Sequence, residues 1–403
     1  MKLGKLASFT LKSAVVLGIL AALISFTKFQ HCRSTGWDQP GEYVHACYSD
    51  LPSLFGARGL DSHTWPFASA SNSVEYPPGT AMVMWLTSFL VGSGDNAALH
   101  YFDINALFIA LLFLATIVLL AKMKPHLWYL LPLSPAVVAS LYINWDIWAV
   151  ISALAAIYLF EKNRFTSSAI WLGISISTKF FPVVLLLPIL VIFIRRFAIN
   201  NLVKYLSVTI LTWLLINLPF AITTPSGWYR FFSMNAERTA DWGSPWLGLH
   251  MFGIRLSSTS LNSFILFLIG ALAYFIYLAR SEKIPNLATS SFVIVAIFTA
   301  TSKVYSPQYI VWLTPLAILA LTTSAQRTAY WIWQGSELIY HCAIWQYLAG
   351  FTGAKFGLPG HWYAAAIFIR LGALAWFCAA LMRKSTEASL PQPAQFLPSA
   401  VSG

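Results

Sequence analysis

The stretch Tyr101 to Lys124, YFDINALFIALLFLATIVLLAKMK, decides the fold class. Between Asp103 and Lys122 it carries no charge over eighteen residues. At a helical rise of about 1.5 Å per residue, that run covers most of a ~30 Å hydrocarbon core. Comparable apolar runs recur on both sides of it. Cutting the chain at charges, prolines and glycines gives spans at 13–29, 101–121, 127–143, 147–160, 166–179, 182–194, 203–222, 261–279, 287–302, 308–324, 328–350 and 362–382. The expected fold is an all-α polytopic membrane protein with about twelve transmembrane helices. Composition agrees: 58% of the 403 residues are hydrophobic and 10% charged, against roughly a quarter charged in soluble domains. A water-soluble globule is excluded.

The apolar run 78–91 is short for a crossing and reads as interfacial. Lysines support that choice. If 78–91 stayed outside, fifteen of the 25 lysines and arginines, Lys122, Lys124 and Lys162 among them, would be cytoplasmic with both termini. The net charge of +11 then reports orientation in the membrane. No cluster of five basic residues or basic motif suggests nucleic acid. The basic and apolar start resembles a signal peptide, but no convincing small-x-small cleavage site follows, so it reads as an uncleaved span. Residues 1–384 form one membrane domain, and the Pro-, Ser- and Ala-rich segment 385–403 is expected to be a disordered cytoplasmic tail.

On this topology two long loops, about 30–100 and 223–260, face outward and hold most of the acids. Long ordered loops are more often functional than structural, so chemistry is expected on the outer face of the plasma membrane. Cys32 and Cys47 share the first outer loop, where a disulfide and two separate thiols are both open readings. Cys342 and Cys378 lie in spans and read as small apolar fillers. The eight histidines form no HxxxH, HExxH or CxxC-type group, so no zinc signature is present.

Several short blocks have a collective meaning: CYSDLPSLFGARGL at Cys47 to Leu60, VEYPPGT at Val74 to Thr80, YFDIN at Tyr101 to Asn105, NWD at Asn144 to Asp146, TKFFP at Thr178 to Pro182 and SKVYSPQYIVW at Ser302 to Trp312. In this order they resemble the C superfamily of membrane glycosyltransferases, and most closely glycosyltransferase family 87, the polyprenyl-phosphate-mannose-dependent mannosyltransferases of actinobacterial envelope synthesis. The resemblance implies juxtamembrane helices in the first outer loop. It also implies transfer of a hexose, mannose first, from a polyprenyl-phosphate donor to a lipid or glycolipid acceptor, with inversion at the anomeric carbon.

A phosphate leaving group needs no acid to protonate it, unlike the leaving oxygen in glycoside hydrolysis. One carboxylate base can suffice, with cations meeting the charge that develops on phosphate. Asp50, in the first block, is the expected base, and Glu75 beside Tyr76 is the competing carboxylate. Asn144 and Asp146 could orient hydroxyls. Asp103 reads as a helix cap. Lys179 and Lys303 sit at outer span ends, where anchoring is the ordinary role of lysine. Their place in matching blocks makes them, with Arg58, candidates for donor phosphate, and Gln308 could join Lys303. Arg230, Arg238 and Arg255 read as ordinary loop charges. Glu337 and His341 lie at i, i+4 within a span, as a mutually satisfied pair or as contacts to donor or acceptor. Trp331, Trp333, Trp345 and Trp362 are belt residues or sugar-stacking rings. No cofactor or metal is required. The rival reading is a transporter or lipid flippase, which would show paired broken helices and ionisable groups near the midplane. No repeat relates the two halves.

Overall fold

The computed structural model describes residues 2–283 and 286–383, with the side chains of residues 2–10 excepted. The expected tail at 385–403 lies outside the described residues. Among these residues the fold is helical without a strand. The first long helix, α1 (Lys2–Lys28), runs into two short ones, α2 (Gln30–Thr35) and α3 (Gly41–Val44). Then come α4 (Asp50–Ala57), α5 (Pro78–Ser88) and the long α6 (Ala97–Met123). Short pieces α7 (Leu130–Leu133) and α8 (Pro135–Ser140) precede α9 (Ile147–Glu161), α10 (Phe165–Thr178), α11 (Leu186–Arg195) and α12 (Ile199–Thr223). The second half holds α13 (Pro225–Glu237), α14 (Pro245–Met251), α15 (Thr259–Arg280), α16 (Leu287–Thr301), α17 (Ile310–Ala320), α18 (Ser324–Phe351) and α19 (Gly360–Met382).

Among the described residues five helices are long and apolar enough to cross a membrane: Leu11–Lys28, Ala97–Met123, Ile199–Thr223, Thr259–Arg280 and Gly360–Met382. Four shorter apolar stretches, Ile147–Glu161, Phe181–Arg195, Leu287–Thr301 and Pro307–Ala320, fill the interior between them. The chain is a membrane-embedded helical protein. Of the roughly twelve expected spans, five correspond to these long helices and four to the shorter apolar stretches. The clearest departure is 127–143, where Pro132 and Pro135 lack the N–H groups a continuous helix needs. The chain breaks there into α7 and α8, followed by non-helical residues 141–146. Such backbone is tolerated at membrane depth only when protein surrounds it, and Leu141 to Asp146 are all buried.

The loop between α1 and α6 is built rather than loose. Cys32 and Cys47 form a disulfide that joins α2 to the loop between α3 and α4, with Cα atoms 5.9 Å apart. Arg33 makes two hydrogen bonds of 2.8 and 2.6 Å to Asp103. This corrects the cap reading of Asp103, because α6 begins at Ala97 and the carboxylate serves as a tie between α2 and α6. The interfacial segment forms α5, eleven residues long. Gly79 lets it touch the end of α10: a Cβ there would lie 2.7 Å from Thr178 Cα. The Thr80 hydroxyl donates to the Thr178 carbonyl at 2.6 Å. That contact fixes the next residue, Lys179.

Candidate active site

Asp50 opens α4, and backbone bonds hold it in place. Its N–H donates to the Ile143 carbonyl at 2.7 Å. The preceding Ser49 caps the helix by accepting from Leu51 N–H, and its hydroxyl donates to Tyr142 O at 2.7 Å. The buried turn that interrupts 127–143 is therefore the seat of α4. The Tyr48 hydroxyl donates to Asp50 Oδ1 at 2.8 Å and the Tyr76 hydroxyl to Oδ2 at 3.3 Å. Burial raises the Asp50 pKa above the ordinary carboxylate value. The Tyr48 hydrogen bond and the Lys179 charge oppose that rise, and Asp146 and Glu75 add to it. Tyr48, beside the Asp50 charge, and Tyr76, by burial, have raised pKa values and stay protonated as donors.

Lys179 ends α10 and forms an ion pair with Asp146. Its ammonium lies 4.3 Å from the Tyr76 ring centroid. The other Asp146 oxygen accepts from Trp312 Nε1 at 2.7 Å. Asn144 Oδ1 accepts from Asp146 N–H at 3.0 Å, while its Nδ2 finds no partner among the described residues. Asp146 thus pairs with Lys179 through one oxygen and with Trp312 through the other, whereas Asn144 retains an unused donor.

A cavity of about 500 Å³ opens beside these groups, within the range of ordinary ligand sites. Asp50, Glu75, Tyr76, Asn144, Lys179 and Gln308 line it. Two expected phosphate contacts are corrected. Arg58 is absent from the lining and is engaged by Glu75 through hydrogen bonds of 2.6 and 2.9 Å. Lys303 turns the other way: its ammonium donates to Asn235 O at 2.6 Å, Ala236 O at 3.2 Å and Ser260 Oγ at 2.8 Å. The carbonyl-rich C-terminal end of α13 attracts a cation, and it binds this one.

The opposite wall was not anticipated. Arg238 and Asp241 pair at 2.7 Å, and with Trp242 they face the cavity from the loop after α13. Arg238, read as an ordinary loop charge, is therefore a second cavity cation. An Arg-x-x-Asp spacing in the second outer loop was the available signal, and that spacing is common.

The pair Glu337 and His341 is also corrected. Both are buried in α18 but have separate partners. Glu337 meets Arg370 at 3.5 Å and accepts from Tyr305 at 2.8 Å and Trp333 at 3.2 Å. His341 accepts from Trp345 Nε1 at 3.0 Å and lies 3.2 Å from both Lys28 Nζ and Ser140 Oγ. Neither lines the cavity, but Trp345 does. Trp333 is buried, whereas Trp331 and Trp362 are exposed.

Among the described residues no group of three His, Cys, Asp or Glu could hold a metal ion. A scan against models of protein families gives no match, and neither does a search of curated proteins.

Proposed function

We propose that this chain is a membrane glycosyltransferase that moves a hexose, mannose by the resemblance of its motifs, from a polyprenyl-phosphate donor to a lipid or glycolipid acceptor. The observation that carries the reading is Asp50: a carboxylate of raised pKa, held by two phenols at the edge of a cavity that also presents Lys179 and Arg238. A raised pKa makes the carboxylate a stronger base.

In this mechanism an acceptor hydroxyl gives its proton to Asp50 as its oxygen attacks the anomeric carbon opposite the phosphate. The bond from that carbon to the phosphate oxygen breaks, and its electron pair leaves with polyprenyl phosphate. Configuration inverts in the single displacement. Lys179 and Arg238 stabilise the departing charge, and Asn144 Nδ2 supplies a hydrogen bond to a ligand oxygen. The decisive experiment is transfer of radiolabelled sugar from polyprenyl phosphate in membranes containing the chain or its Asp50→Asn variant. Transfer that appears with the chain and is lost with the variant supports the proposal, and equal transfer with both sinks it.

The buried Glu337–Arg370 pair keeps a transporter or flippase as the second reading, since ionisable groups within a span commonly serve transport. Substrate movement without covalent transfer in sealed vesicles would favour it.

A further inference from the structure

Arg370 lies in the middle of the apolar α19, fully buried, and no step above uses it. A guanidinium is costly to bury unless it is paired and hydrogen-bonded throughout. Here it sits between two rings, 3.5 Å from the Tyr305 centroid and 3.4 Å from that of Tyr340. Glu337 supplies the opposite charge. Its hydrogen bonds come from Nη2 and go to backbone, the Gly243 carbonyl at 3.0 Å and the Tyr305 carbonyl, while Nε and Nη1 make none among the described residues.

Those carbonyls belong to two segments that pair with each other. Asp241 N–H donates to Lys303 O at 2.9 Å, and Tyr305 N–H donates to Trp242 O at 3.2 Å. The first segment carries Arg238, Asp241 and Trp242 into the cavity wall, and the second continues into Ser306 to Tyr309 on the adjoining wall. Gly243 makes the junction possible. Its φ is +73°, and a Cβ there would lie 2.2 Å from both Tyr305 O and the Tyr340 hydroxyl. Its N–H donates to the Tyr363 hydroxyl at 2.9 Å. Glu337 alone would need only a cation; the two carbonyls and the glycine show that the guanidinium also holds the backbone.

We propose that Arg370 is a positioning residue, clamping the Arg238–Trp242 and Ser306–Tyr309 walls together from within the membrane so that the cavity keeps its shape. Its bearing on catalysis rests on the cavity being the substrate site; the clamp itself does not.

Amide hydrogen exchange on the full chain in lipid nanodiscs tests this, because it needs no substrate. The double variant Arg370→Met with Glu337→Gln removes both charges together and leaves no orphaned ion. Exchange in 238–244 and 302–309 should rise at least about tenfold, while 97–123 stays protected. Gly243→Ala should open the same two segments from the other side of the clamp. Arg370→Lys should fall between wild type and the double variant, since an ammonium can still donate to the carbonyls. Tyr205→Phe, a lesion buried elsewhere, should leave both segments unchanged. Unaltered exchange in the two segments, or loss of protection across the whole chain including 97–123, overturns the proposal. In the transfer assay the double variant should lose about 10²-fold in kcat/KM, as expected of misplacement, and keep the acid limb that Asp50 sets. If the exchange result holds but even the unaltered chain transfers no sugar, the clamp stands and the glycosyltransferase reading fails.

Discussion

Asp50 differs from the other carboxylates of the cavity in its partners: neutral hydroxyls hold it, while Glu75 and Asp241 are matched to arginines. A carboxylate matched to a guanidinium is a poor base, so Asp50→Asn should reduce transfer by about 10² to 10⁴-fold, with insertion and donor binding retained. Near-wild-type turnover would shift the role to Glu75. The pH profile follows from the same contacts. A base must be ionised, and burial raises the Asp50 pKa, so the rate should fall as pH drops through a value above the ordinary carboxylate range. An initial-rate profile lacking that limb would contradict the assignment. Lys179→Ala should weaken donor binding, whereas Lys303→Ala should loosen α13 and leave donor affinity nearly unchanged; direct binding measurements separate the two. The sequence places both lysines at span ends but does not say which way each ammonium turns. Competing carbonyls at the end of α13, far away in the chain, decide that for Lys303. Arg370 was illegible for a related reason: the carbonyls it holds are on Gly243 and Tyr305, remote in sequence.

Among the elements, the short helices between α1 and α6 matter most, because α4 carries Asp50 and α5 follows directly on the turn that carries Tyr76. That 78–91 is short for a crossing was legible from its sequence, and α5 is eleven residues long. The break in 127–143 was partly legible in Pro132 and Pro135. Its use as the seat of α4 depends on Ser49 and Asp50 reaching Tyr142 and Ile143, which no local pattern encodes. The Cys32–Cys47 link closes a loop with a sequence separation of 15, worth about 3 kcal/mol in the chain-entropy view. Replacing both cysteines with serine should lower thermal stability by about that amount and raise proteolysis within 30–60; unchanged melting would count against it. Gly79→Ala should cost roughly 1–3 kcal/mol, the usual penalty of overpacking, because the new methyl meets Thr178. It should also reduce transfer by displacing Lys179. A melting scan with parallel activity measurement checks both effects.

At the scale of the whole molecule, hydropathy makes the membrane class plain, while the partition into long and short helices depends on packing. Orientation is open to a direct test. Cysteines placed at the exposed positions Lys122, Lys162 and Lys283 should resist an impermeant thiol reagent in intact cells, while one at the exposed Thr64 should react. Labelling at Lys122 from outside would mean that α5 crosses the bilayer. The clamp at Arg370 has a consequence for biosynthesis. A ribosome releases Asp50 long before Arg370, with α5 to α18 made in between, so these helices exist before the cavity has both walls secured. A premature stop codon between Thr352 and Gly360 should therefore leave a polypeptide with every cavity residue translated and no clamp to hold the two walls.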